Sequence, residues 1–190
     1  MNLLGDMLEL TGYVNVVERD SVVLPISMYP PAPGPFVERV RAGAFSQSLL
    51  CGHDIQLKVD HKRVIGSTKS GALRLSEDGI GLKATVRTRD QEVLRAARRK
   101  AIQGWSFGFG SVLDEWVRLE SGLYRRTLKV FELREVSLLI DSKPAYTATS
   151  AELADGSSAV IEHRVWMPAG DPVVCALKAS GLLTEISKPN

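Results

Sequence analysis

The chain is poor in cysteine and histidine and nearly balanced in charge, and each shortage narrows what it can do. Cys51 and Cys175 are its only cysteines, too few and too far apart for a disulfide framework or a Cys-rich zinc site, so both are expected as small, reduced, partly buried side chains. Lys and Arg number 24 against 22 Asp and Glu, a formal net charge of +2 that argues against nucleic acid or an anionic membrane as the main partner. Residues 1–10 hold no basic leader ahead of an apolar run, and no later run approaches a bilayer-spanning length. A soluble cytoplasmic protein is expected. The 190 residues, 44% hydrophobic, suffice for one sizeable core with a tail left over.

Against that plain background one heptapeptide stands out, Gly104-Trp105-Ser106-Phe107-Gly108-Phe109-Gly110. Core packing alone poorly explains a serine flanked by three glycines and three aromatics. Glycine lets the backbone turn sharply and lets a substrate carbonyl approach main-chain N–H groups, as acyl transfer to a hydroxyl requires. A serine hydroxyl is a weak nucleophile until an imidazole takes its proton. The chain offers three: His53, His61 and His163.

The hydrophobic pattern is mainly that of strands. Residues 8–17 alternate and carry β-formers, and 21–24 read as a second strand. Five prolines between Pro25 and Pro35 then impose a surface loop, preferred over a proline-rich recognition segment. Residues 36–41 are extended and a short helix runs from Gly43 through Leu50. Ile55, Leu57 and Val59 point one way and Gln56, Lys58 and Asp60 the other, a half-buried strand that delivers His61 at its end. Residues 72–75 and 80–86 form a hairpin across Glu77-Asp78-Gly79.

The one clear helix follows, with Thr88 and Gln91 at capping-box spacing, Val93, Leu94, Ala97 and Ala101 on one face, and Gly104 as its stop. Ser106 is thus expected directly after a helix, and Arg95, Arg98, Arg99 and Lys100 are read as a solvated face. Residues 112–119, 124–130 and 131–140 read as three more strands, the last carrying the alternation Leu133, Glu135, Ser137, and together the strands suggest a closed or nearly closed barrel. From Ala148 the composition shifts to Ala, Ser, Gly and Pro, a loosely attached tail in which residues 160–166 could dock as an edge strand.

Two catalytic sets can be built around Ser106. Gly104 to Gly108 fits the Gly-x-Ser-x-Gly elbow of a serine esterase, which would use Asp141 and His163 downstream. That elbow belongs between a strand and a following helix, the reverse of the order expected here. The other set takes His61, held at a strand end, as the base. His53, Asp60 and His61 as metal ligands are a third, weaker pattern because their spacing is irregular.

Taken in order, a series of segments resembles the capsid-maturation (prohead) proteases of tailed bacteriophages, distant relatives of the herpesvirus assemblin protease. They are Gly12-Tyr13, Gly43-Ala44-Phe45 with Ser48-Leu49, His61 followed by Val64-Ile65-Gly66-Ser67-Thr68, and Leu73 to Leu75 with Gly79 to Leu82. Ser106-Phe107-Gly108-Phe109 and Leu133-Arg134-Glu135-Val136-Ser137-Leu138, ending in Pro144-Ala145-Tyr146, complete the series over residues 9–147.

The resemblance implies a mainly β (α+β) protein with a herpesvirus-protease-like β-barrel, a protease domain over 1–147 and a C-terminal tail over 148–190 that is flexible or self-cleaved. It implies a serine endopeptidase with His61 as base, Ser106 as nucleophile and Glu135 as the third member, needing no cofactor. The substrate it implies is the phage major capsid protein or its scaffolding segment, inside the procapsid in the host cytoplasm, with a homodimer as the form relatives suggest. Members usually carry Asn before the base histidine and Asp after it, whereas Asp60 and Lys62 stand here, so Asp60 competes with Glu135 for the orienting role. Backbone N–H groups near Phe107 and Gly108 are oxyanion candidates, with Arg134 assisting through a water. The competing class is a noncatalytic β-barrel capsid-assembly factor.

Overall fold

A computed structural model describes residues 6–140, with short strands at 2–4, 151–152, 158–159 and 164–166. Twelve strands fall among the described residues: β1 (Asn2–Leu4), β2 (Met7–Val16), β3 (Phe36–Val40), β4 (Gln56–Val59), β5 (Arg63–Ser67), β6 (Leu73–Glu77), β7 (Gly81–Thr88), β8 (Gly104–Arg118), β9 (Tyr124–Leu139), β10 (Ala151–Glu152), β11 (Ser158–Ala159) and β12 (Arg164–Trp166). Two helices, α1 (Ala44–Leu50) and α2 (Gln91–Arg98), accompany them. The strands form two six-stranded sheets, one ordered β11-β10-β2-β7-β6 with β1 on β2, the other β12-β8-β9-β4-β5 with β3 on β9. The protein is therefore mainly β with a minor helical part. The expected barrel does not close, because among the described residues each sheet ends on strands that find no partner in the other.

Alternation decides which face of each strand is buried. In β2, Leu8, Leu10 and Val14 have no exposed surface, and Leu82, Ala84 and Val86 answer them from the paired β7. In the second sheet Leu57 and Val59 of β4, Trp105 and Phe107 of β8, and Val136 and Leu138 of β9 point into the same core. Phe45 of α1 meets Phe107 and Phe131 edge-on, with ring centroids 5.1 Å apart in both pairs. Full burial of one such ring contributes about 1.5–3 kcal/mol, which makes this cluster the anchor for the strand that carries Ser106.

Most elements stand where the periodicity puts them, and the differences have identifiable causes. Residues 21–24 form no strand, only a single bridge from Leu24 to Phe36, because Pro25 ends the extension and a 3-10 turn (Ile26–Met28) follows. Asp90, not Thr88, caps α2: its carboxylate accepts the N–H groups of Glu92 and Val93, while the Thr88 hydroxyl accepts that of Asp90. The helix stops at Arg98, and Lys100, at φ 54°, makes the left-handed exit expected of Gly104. Ser106 consequently lies inside β8 and not at a helix end. Residues 112–140 make two long strands where three were expected, since the Val130/Phe131 junction continues without a break. The strand β5 was not foreseen.

Candidate active site

The segment that presents His61 begins with β4. Its apolar residues Leu57 and Val59 face the core, and it lies parallel to β9 with Lys58 opposite Ser137 and Gln56 opposite Glu135. Beyond Val59 the chain turns through two left-handed residues, Asp60 at φ 46° and His61 at φ 60°. Such conformations cost non-glycine residues roughly 1–2 kcal/mol each and persist only where the surroundings enforce them. Here a set of hydrogen bonds enforces them. Asp60 N–H donates to Leu138 O (2.9 Å), its carboxylate accepts Ile140 N–H (3.0 Å), and Lys62 N–H reaches back to Val59 O (2.9 Å). The backbone N–H of His61 donates to the Ser137 hydroxyl at 3.0 Å.

Ser137 is also the cross-strand partner of Ser106 in the antiparallel β8–β9 pair. Directly opposed residues share a face, so Ser106, Ser137 and Lys58 form one row across three strands. The next row is Gly108, Glu135 and Gln56. A β-bulge separates these rows from the rest of β9: Gly108 faces Glu135 while Phe109 faces Leu133, leaving Arg134 as the extra residue. The simple alternation of Leu133, Glu135 and Ser137 is thereby broken. Leu133 falls in with the core, and Glu135 and Ser137 are released to the face that bears Ser106.

The Glu135 carboxylate reaches Nδ1 of His61 with one oxygen and the ammonium of Lys58 with the other. Burial alone would raise its pKa, but the hydrogen bonds from His61 and Lys58 outweigh that and hold it below the usual carboxylate range. Ser106 has no exposed surface, and its hydroxyl has no hydrogen-bond partner among the described residues. A buried hydroxyl without a partner is costly, so it is retained for a reason other than stability.

The remaining candidates lie elsewhere or take other work. Nε2 of His53 bonds to Leu133 O, and Asp60 is committed to the Ile140 backbone, so the two do not join His61 as a ligand set. The competition between Asp60 and Glu135 for Nδ1 goes to Glu135 in this geometry. Arg134 pairs with Glu132 and packs over Gly110. Asp141 and His163 lie outside the described residues, as does Cys175. The elbow they would need is missing from the described structure, because Ser106 is the third residue of an extended strand. Trp105, Phe107 and Phe109 are buried in the core.

Three features of the site escaped the sequence reading. Lys58 was assigned only a polar strand face. Ser137 was noted only for its place in an alternation, and its link between the His61 backbone and the Ser106 position depends on a register between distant strands. Gly108 was read as a door for substrate, whereas a Cβ there would lie 2.6 Å from Cγ of Glu135. Its first role is to make room for that carboxylate. One residue gave a signal, Glu135, a charge among apolar strand residues that calls for a partner.

The family profile described as caudovirus prohead serine protease matches residues 2–163. No curated protein and no solved structure matches the chain.

Proposed function

The chain belongs to the caudovirus prohead serine proteases, and from that premise we propose that it is the maturation endopeptidase of a phage procapsid, with Ser106 as nucleophile, His61 as general base and Glu135 as the group that orients the base. The observation that carries this reading is the Glu135 carboxylate on Nδ1 of His61, while Ser137 ties the His61 backbone to the position opposite Ser106.

With its Nδ1–H donated to Glu135, the imidazole is held in the tautomer whose Nε2 is the proton acceptor. As the Ser106 oxygen attacks the scissile carbonyl, its proton passes to His61 and the Glu135 anion stabilises the imidazolium. Collapse of the tetrahedral intermediate hands that proton to the departing amine and leaves an acyl group on Ser106. Water then attacks the ester, with His61 taking its proton and returning it to the serine. Main-chain N–H groups near Phe107 and Gly108 are the candidate donors for the oxyanion.

The substrate of this reading is the capsid precursor or its scaffolding segment, met inside the assembling procapsid. The protease domain is 1–147, and the segment 148–190 is a target for self-cleavage. The homodimer suggested by relatives remains part of the proposal. Among the described residues no helix is long and apolar enough to cross a membrane.

Intact-mass analysis after co-expression with a candidate capsid precursor tests the reading. Wild type should yield cut precursor and a shortened chain of its own, and Ser106→Ala should yield neither. Equal uncut masses from both would refute it. Substituting His61 and His163 separately decides against the esterase arrangement, since only the first should abolish cleavage.

A further inference from the structure

The mechanism above leaves one cation of the site unused. Lys58 lies on β4 opposite Ser137, on the same face as Ser106, and its side chain is only 15% exposed. Its ammonium pairs with the Glu135 oxygen that His61 does not use. Burying an ammonium is expensive, and replacing a whole buried ion pair by apolar side chains is usually neutral or stabilising. A structural need is therefore a poor account of it.

The catalytic cycle supplies a better one. A general base must be neutral at rest, and a neutral imidazole offers Glu135 no positive charge. The carboxylate, 2% exposed, would then be a nearly solitary buried anion. It could relieve that state in two ways, by taking a proton itself or by holding one on His61, and either would remove the base. A permanent cation on the second oxygen blocks both routes. Other charges near the imidazole are otherwise engaged: Asp60 in the preceding turn accepts Ile140 N–H, and Arg134 of β9 pairs with Glu132. The neighbouring Lys62 is exposed and gives no described ion pair to Glu135.

We propose that Lys58 is a positioning residue of the protease, which keeps Glu135 ionised and correctly turned while His61 is neutral, and so sets the pH at which the base becomes available. The proposal rests on the protease reading and adds to it a residue that touches neither substrate nor scissile bond.

The test uses the full chain carrying Lys58→Met or Lys58→Arg, with precursor cleavage followed against pH. Lys58→Met removes a positive charge that opposes the imidazolium, so the acidic limb of the rate profile should move upward by about one pH unit, and the rate at neutral pH should fall about tenfold or more. Lys58→Arg should restore most of the rate and the position of the limb. Lys58→Met leaves Glu135 buried without its permanent cation and should lower thermal stability, so rates are compared per folded molecule. An unmoved limb, or an arginine variant as slow as the methionine one, would overturn the proposal. A second readout needs no turnover: in the Ser106→Ala background, NMR titration of the His61 ring should show its midpoint displaced upward by Lys58→Met. Should the midpoint move while wild type cleaves nothing, the electrostatic link stands and the protease reading fails. A stationary midpoint in a cleaving enzyme overturns the link alone.

Discussion

Near its start β9 buries Arg126 and near its end it buries Glu135, and the two charges are treated differently. Arg126, 2% exposed, donates to Glu38 on β3 (3.0 Å) and to Asp114 on β8 (2.6 Å), and its guanidinium carbon sits 3.7 Å from the centre of the Tyr29 ring. One cation is held by two carboxylates and an aromatic face, which locks the long β8–β9 hairpin onto β3. At the other end the balance is reversed. One carboxylate is shared between a permanent cation and an imidazole that changes its charge, and a serine with no hydrogen-bond partner among the described residues stands opposite the nearby Ser137. The first cluster is a brace of opposite charges, in which one guanidinium nitrogen of Arg126 has no hydrogen-bond partner among the described residues. The second holds a titratable group and an unengaged hydroxyl, the condition for proton transfer.

The sharpest way to separate the two ends is to remove one member from each. Ser106→Ala or His61→Ala should lower cleavage by about 10⁴-fold or more with little change in thermal stability, measured by precursor cleavage and calorimetry. Arg126→Met should do the opposite. Leaving Glu38 and Asp114 buried without their cation should cost about 3–5 kcal/mol in denaturant unfolding, with activity per folded molecule retained. If Arg126→Met slowed catalysis as much as it lowered stability, the two clusters would not be independent.

Glu135→Gln comes next in size. It keeps the shape but lets the wrong imidazole tautomer form, so a loss on the order of 10³–10⁴ in rate is expected with the fold intact. The same variant tests the acid stability of this end. Because the folded carboxylate titrates below its ordinary value of 4.5, it contributes stability that is present above that value and lost as pH falls through the lower folded one. Glu135→Gln should flatten the wild-type decline in melting temperature over that acidic window.

A smaller change probes the space around the carboxylate. Gly108→Ala would push Glu135 from its place, and a fall of roughly 10–100-fold in rate is expected, since small misplacements of a catalytic group carry such costs. The least effect should follow joint replacement of Arg126, Glu38 and Asp114 by apolar residues of similar volume, which should restore most of the stability lost by Arg126→Met alone.

Legibility in the sequence followed the range of the interactions. β4, the β6–β7 hairpin and α1 were readable because alternation, turn residues and helical spacing are local. His61 was placed at a strand end for the same reason. The barrel was not readable, since closure depends on which edge strands meet. Nor was the end of α2, where Lys100 takes a conformation that sequence would assign to glycine. At the site, His61 was visible as one of three histidines and Ser106 as a serine in an unusual setting of glycines and aromatics. The Lys58 pairing and the Ser137 bridge come from the parallel register of β4 on β9, whose partners lie 79 residues apart, which no local pattern encodes.

The parallel pairing of Arg164–Trp166 along Phe107–Phe109 has a practical meaning for anyone shortening the chain. From Gly104 to Val112 the strand carries no charged residue and no proline. Proteins ordinarily guard an open β margin with such groups, so a fragment ended before residue 164 would present a bare ribbon ready to recruit the same ribbon from another molecule. Preparations of the core alone should therefore become turbid on concentration sooner than the full chain.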